Sequence, residues 1–529
     1  MMQIQNPILK GFNPDPSIIR VDDDYYIATS TFEWFPGVQI HHSKDLAHWE
    51  LITRPLDRTS QLDLRGVPDS CGVWAPCLSY HDGTFYLVYS NTKSFQGTWK
   101  DTPNYLVTST DILGEWSEPI FLSAMGFDGS LFHDDDGRKW YVSLHVDHRN
   151  QKFFGGIALQ EYDPIQKQLI GAPEIIFPGT TLGITEGPHL YKIAGYYYLI
   201  TAEGGTEYNH AVTVARSKNI YGPYEVHPNN PIVTAADDPK AHFQRTGHAD
   251  IVEDENGNWH IVFLASRPLR ERDACTLGRE TIIEELVLED GWPFLANGTK
   301  KPRKTFGTNT LEALPIAEGG RRDDFDSDTL DIHWQSLRVP FDTSWIELKD
   351  QQLILKGRES LSSTFNQSFL ARRVQHFNIE VVTRLHFNPT TFQHMAGLIF
   401  YYNTSHFHYL HLTSDLNSHS RLLRIVTSDK NDYIEPIEKG VPVDKKSLFL
   451  KGTFKKTQIQ FYYSLDGRDW NTIGPSLDGS ILSDDYVRNE HIKYQPAFTG
   501  VFVGLCCQDL TGNRTPAYFD FFEYNILEK

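Results

Sequence analysis

The sequence predicts an all-β chain, a five-bladed β-propeller followed by a C-terminal β-sandwich. Three observations carry that prediction. Strand-like runs of alternating character recur roughly every 50 to 60 residues over the first three hundred positions. Long amphipathic helical patterns are nearly absent, and beyond about residue 320 the repeat stops while the alternation continues.

Each repeat opens on a small cluster and turns back into a run rich in β-branched and aromatic residues. The openings are Asp15-Pro-Ser-Ile-Ile19, Ala75-Pro-Cys-Leu-Ser79, Asp128-Gly-Ser-Leu-Phe132, Glu186-Gly-Pro-His-Leu190 and His248-Ala-Asp-Ile-Val252. Their starts at 15, 75, 128, 186 and 248 are separated by 60, 53, 58 and 62 residues. The returning runs centre on Tyr26, Tyr86, Tyr141, Tyr198 and His260. Asp82-Gly83, Asp136-Gly137, Ala194-Gly195 and Asn256-Gly257 supply turn residues that tolerate positive φ, and the first copy uses Asp22, Asp23 and Asp24 instead. The outer halves also echo one another, as in His42–Trp49, Thr110–Trp116 and Ser217–Tyr224, so each unit holds about four strands. A solenoid repeats at shorter intervals, and a single sandwich does not repeat.

A boundary is expected in the Gly/Pro-bearing stretch Leu311–Gly320, giving a propeller over 1–315 and a sandwich over 322–529. In the second part, Ile379–Phe387 and Gly397–Tyr402 alternate and Leu465–Arg468 carries a turn signal.

Composition narrows the function. With 40% hydrophobic and 13% aromatic residues the chain can build large cores. A net charge of -19 repels phosphate backbones and anionic headgroups, so nucleic acid and membrane surfaces are not expected partners. The N-terminal sequence lacks a basic region and an apolar run, and no stretch approaches the length of a membrane span. Five cysteines, two of them the vicinal Cys506 and Cys507, suit a reduced interior, and a cytoplasmic location is expected. The sequons at Asn297, Asn366, Asn403 and Asn513 matter only in a secreted chain.

Equivalent positions of a propeller lie at one height around its axis, so Asp15, Asp128 and Glu186, which open repeats one, three and four, should share a channel mouth. Read singly, each is an ordinary turn or strand-end acid. Read together, three crowded carboxylates repel one another, which raises at least one pKa and sets a protonated acid beside an ionised base. Glycoside hydrolysis needs that division.

These residues carry a resemblance. Asn13–Ser17, Ser30–Gly37, Gly72–Pro76, Gly126–Asp128, Thr185–His189, Thr246–His248 and Leu277–Thr281 resemble glycoside hydrolase family 43, and within it the two-domain β-xylosidases. The resemblance extends through Phe498–Gly504 and Gln508-Asp509, and it implies a concanavalin/lectin-like sandwich at the C-terminus. It implies Asp15 as general base, Glu186 as general acid, and Asp128 as the carboxylate that holds the acid and raises its pKa. Inversion in one step requires base and acid about 6.5–9.5 Å apart.

The resemblance also assigns Arg279, Trp74, Phe32 and His248 to the sugar pocket, with Phe498 as the aromatic reaching in from the sandwich and Phe502 as its alternative. No cofactor is required. A calcium ion near His248 is the one metal the resemblance admits, and a lone imidazole is a poor site for a cation that takes six to eight oxygens. Two positions depart from the family pattern. Gly129 stands where Pro is usual, freeing the backbone beside Asp128, and Cys77 replaces a usual His.

The expected activity is release of D-xylose from the non-reducing ends of β-1,4-xylooligosaccharides by inversion, with α-L-arabinofuranosidase side activity, in a homo-oligomer, dimer or tetramer. The alternatives are a primary α-L-arabinofuranosidase or arabinanase, and a non-catalytic sugar-binding propeller.

Overall fold

Two-residue turns set the hairpins. His81 pairs with Thr84 and Ile193 with Tyr196, so Asp82-Gly83 and Ala194-Gly195 form the entire loops. All four adopt positive φ (48° and 74°, then 49° and 79°), the geometry that matches the twist of the flanking strands. The computed structural model describes residues 2–95, 97, 99–149, 152–308, 314, 321–416, 418, 420–488 and 496–527.

Five antiparallel sheets follow in chain order. Blade I comprises Ser17–Val21, Asp24–Thr29, Gln39–Ser43 and Glu50–Thr53; blade II comprises Gly72–His81, Thr84–Thr92, Asn104–Ser109 and Ile120–Ser123. Blade III comprises Ser130–His133, Lys139–Val146, Phe154–Asp163 and Gln168–Phe177. Blade IV runs Glu186–Ile193, Tyr196–Glu203, Ala211–Ser217 and Glu225–Val226, with Val233–Thr234 also on its third strand. Blade V runs Gln244–Glu253, Trp259–Ser266, Glu280–Glu289 and Trp292–Leu295. The first strand of each blade touches the first strand of the next, and those of blades V and I touch in turn, which closes the ring. Met2–Gln5 pairs with Thr305–Thr308 and draws the two ends of this region together.

At the head of each inner strand one residue turns left-handed: Asp15, Ala75, Asp128, Gly187 and His248, with φ of 53°, 33°, 56°, 56° and 55°. The sequence reading put Glu186 in this phase. The backbone puts Gly187 there, so Glu186 approaches from one position earlier.

The remaining strands build two facing sheets. One contains Asn378–Phe387, Ser447–Lys455 and Pro516–Ile526; the other contains Ser368–Arg373, His394–Asn403, His406–Ser414 and Phe502–Asp509. Their inner faces share one core, where Phe400 meets Phe454 and Phe461 at 5.8 and 5.9 Å between ring centroids. The expected limits at 315 and 529 fall outside the described residues, as does the stretch 311–320 apart from Leu314.

One strand of the second sheet comes from the propeller region. Trp34–Phe35 pairs with Gln335–Leu337 at its edge, and Trp34 stacks on Phe502 with ring centroids 3.7 Å apart. Arg338, fully buried, donates to the Val67 carbonyl and to Asp69 Oδ1, each at 2.7 Å. No helix among the described residues is long and apolar enough to cross a membrane.

Candidate active site

The ring of inner-strand heads brings Asp15, Asp128 and Glu186 into one pocket, which Phe32, Trp74, His248, Arg279 and Phe498 also line. Every site residue expected from the sequence is thus in one place. Asp15 Oδ2 accepts a 2.7 Å bond from the Ser30 hydroxyl, whose oxygen in turn accepts from the Ala75 amide at 2.8 Å. Its other oxygen lies 3.8 Å from both Arg279 Nη1 and His248 Nδ1. Asp128 Oδ2 accepts from the Gly187 amide at 3.2 Å. Glycine suits position 187, because its φ is 56° and a Cβ on it would stand 3.0 Å from the His248 ring, tighter than an ordinary contact.

Gly129, the departure from the family pattern, is fitted to this fold: a Cβ there would come within 2.5 Å of the Tyr141 ring. Cys77 lies buried on the inner strand of blade II, where burial pushes its thiol up to about 12. It is an inert packing residue.

Arg279 spends two donors on protein, one on Thr206 Oγ1 at 2.7 Å and one on the Phe498 carbonyl at 2.8 Å. This fixes its planar fork beside Asp15 and against the rings of Phe32 and Phe498, at 5.8 and 5.2 Å. Trp74 stands edge-on to Phe95, Phe127 and Phe498, and its indole N–H is satisfied by the Ser70 carbonyl at 3.0 Å. The Phe498 amide donates to Ser70 Oγ at 3.1 Å, so the second part of the chain supplies one wall of the pocket. Phe502, the alternative for that wall, is instead buried at the junction under Trp34.

A model of glycosyl hydrolases family 43 matches residues 4–293, and one of the beta xylosidase C-terminal concanavalin A-like domain matches residues 322–525. The chain belongs to glycoside hydrolase family 43. It is 47% identical to a beta-xylosidase of Bacillus subtilis, over 99% of each chain. It is also 47% identical to xylosidase/arabinosidase 43B of Humicola insolens, over 100% of this chain and 98% of that one. The crystal structure of a xylan beta-1,4-xylosidase from Bacillus halodurans superposes with a TM-score of 0.96 at 48% identity, covering 99% of this chain and 100% of that one.

The electrostatics of this family 43 pocket are those of crowded acids. Burial, then the charges of Glu186 and Asp15, raise Asp128 well above the usual carboxylate range. Burial, then Asp15, lift Glu186 to about 7 against the opposing pull of Arg279 and Arg488. The cluster therefore holds a proton at neutral pH. Burial pushes His248 down to about 4, so its imidazole is neutral.

Protein groups around His248 do not by themselves supply the six to eight oxygens that calcium takes, so an ion there would rest mostly on water. The near charged neighbour of His248 is one oxygen of Asp15 at 3.8 Å, and among the described residues no group of three or more His, Cys, Asp or Glu could hold a metal ion.

Sequence reasoning missed Phe95, Phe127, Thr206, His210 and Arg488. The first four line the pocket, and Phe127 was legible as the neighbour of Asp128. Arg488 caps the short helix Asp484–Val487, lies 4.9 Å over the Phe498 ring and acts on the charge of Glu186. Buried Arg245 anchors that helix through Asp484 at 2.9 Å, and Tyr208 through Asp485 at 2.7 Å. Only Ser483 before the acidic pair, an N-cap signature, marked this helix in the sequence.

Proposed function

We propose that the chain is an exo-acting β-D-xylosidase that releases D-xylose from the non-reducing ends of β-1,4-xylooligosaccharides by a single inverting displacement. The observation that supports this most is the meeting of two buried carboxyls and the half-buried Glu186, raised to about 7, with Arg279 and an aromatic wall in one pocket. Asp15, held by Ser30, takes the proton of a water aimed at the anomeric carbon. Glu186 gives its proton to the departing glycosidic oxygen, burial and the charge of Asp15 keep that proton on it, and Asp128, bonded to the adjacent Gly187 amide, positions the acid.

As C–O cleavage proceeds, positive charge develops on the sugar ring, and the carboxylates stabilise it. Arg279 orients hydroxyls, and Phe32, Trp74 and Phe498 cover the apolar face of the sugar. Phe498 closes one side of the pocket, which favours chain ends over chain interiors.

An arabinofuranose presents similarly placed hydroxyls, and a relative bears the name xylosidase/arabinosidase. We accordingly assign α-L-arabinofuranosidase activity as a side reaction. The kcat/KM for an aryl β-D-xyloside should exceed that for the matching aryl α-L-arabinofuranoside, and the reverse order would make the arabinofuranosidase reading primary. All five cysteines are free and buried, in keeping with a reducing, cytoplasmic setting. Assembly into a dimer or tetramer rests on the family resemblance, and light scattering on the purified chain reads its mass.

A further inference from the structure

A second cavity, of about 320 Å³, lies between the propeller and the sandwich, and its chemistry is opposite to that of the carboxylate pocket. Lys10 and Arg54 line it from the propeller side, and Arg321, Arg372 and Arg373 from the other. His41, His333 and His376 also face it, and no aspartate or glutamate is among the described residues that do. The chain as a whole carries 68 acidic against 49 basic residues, so a cavity lined by five cations and, among the described residues, no acid is a local inversion of its charge.

Three of these cations are buried. Arg54, Arg372 and Arg373 are 9%, 8% and 7% exposed. Arg373 gives Nε to the Phe12 carbonyl and Nη1 to Gln39 Oε1, both at 2.7 Å, while its Nη2 has no partner. Arg54 Nη2 reaches the same Gln39 oxygen at 2.6 Å, and its Nε has none. Gln39 Oε1 thus serves two guanidinium groups, and the remaining acceptors are also neutral, Gln335 Oε1 for Arg373 and the Ile332 and Trp334 carbonyls for Arg54. Arg372 faces the rings of Trp334 and Tyr524, at 5.9 and 5.8 Å.

The nearby acids Asp331 and Asp323 are bonded to His333 and to the Trp334 indole, each at 2.7 Å; both act on Arg372 and Asp331 also on Arg54, but neither acts on Arg373. Burial, then the charge of Arg54, push the Arg373 guanidinium well down from its ordinary pKa. Unpaired buried cations are costly, and a bound anion removes the cost.

We propose that this cavity binds a phosphate group, gripped by Arg372, Arg373 and Arg54. Planar guanidinium forks match the oxygens of a tetrahedral oxyanion, and several converging cations suit a dianion better than a single carboxylate. The phosphate comes from inorganic phosphate or from a small phosphorylated sugar. The site adjoins the catalytic strand, because Asn13 lines this cavity and Asp15 the other.

Calorimetric titration of the full chain with sodium phosphate and with glucose 6-phosphate, at ionic strength held constant with chloride, tests the proposal. Saturable binding of either is expected, and the tighter of the two identifies the source. Arg372→Gln and Arg373→Gln should each weaken it at least tenfold. Arg372→Gln should keep its turnover of an aryl xyloside, which verifies folding. Absence of saturable binding, equal binding in both variants, or tighter binding of glucuronate than of either phosphate would overturn it.

Discussion

Glu186 is a half-buried acid whose proton is retained to about pH 7 by desolvation and by the charge of Asp15. The sign follows directly. The acid form is present below about 7 and is lost above it, so kcat/KM should fall on an alkaline limb near that pH, which belongs to the coupled cluster and not to one residue. A flat profile across pH 7 would contradict this. General acid catalysis is worth about 10²–10⁴-fold, so Glu186→Ala should lose activity of that order on xylobiose and also lose the alkaline limb. The same variant should retain most of its rate on a dinitrophenyl xyloside, whose leaving group needs no proton. Equal losses on both substrates would remove Glu186 from the acid role.

Among the elements, the two-residue strand Trp34–Phe35 does most to join the parts of the chain, since it completes a sandwich sheet from inside the propeller region. Trp34 is fully buried and stacked on Phe502. Trp34→Ala should cost about 3–5 kcal/mol, the usual range for deleting a large buried aromatic. Calorimetry should show a lower unfolding temperature, and an unchanged one would mean that the stacking is not structural. This element was not legible in the sequence. Trp34 sits in an irregular stretch with no alternation, and its partners Gln335–Leu337 and Phe502 are hundreds of residues away.

Hairpins such as that of Gly72–His81 with Thr84–Thr92 were legible because their period, turn residues and spacing are local properties. The placement of Glu186 was legible only in part. Local pattern showed an acid at the head of the fourth repeat, and the left-handed φ of Gly187, which shifts that acid by one residue, is a property of the folded backbone.

At the scale of the whole molecule, closure of five repeats carries Asp15, Asp128 and Glu186, far apart along the chain, into one pocket, and the second part adds Phe498 and Arg488 to it. The repeat made the first contribution readable from the sequence. Arg488 was beyond reach because it depends on how a short helix in the sandwich docks against Arg245 and Tyr208.

The combined site is a proposal for one displacement with water attacking opposite the leaving oxygen, which fixes the configuration of the first product. Proton NMR of xylobiose during the first minutes of turnover, before mutarotation, reads it directly. The account predicts that α-xylose appears first from the cleaved non-reducing end. Initial release of β-xylose would mean retention through a covalent intermediate and would contradict the assignment of Asp15 as the base that activates water.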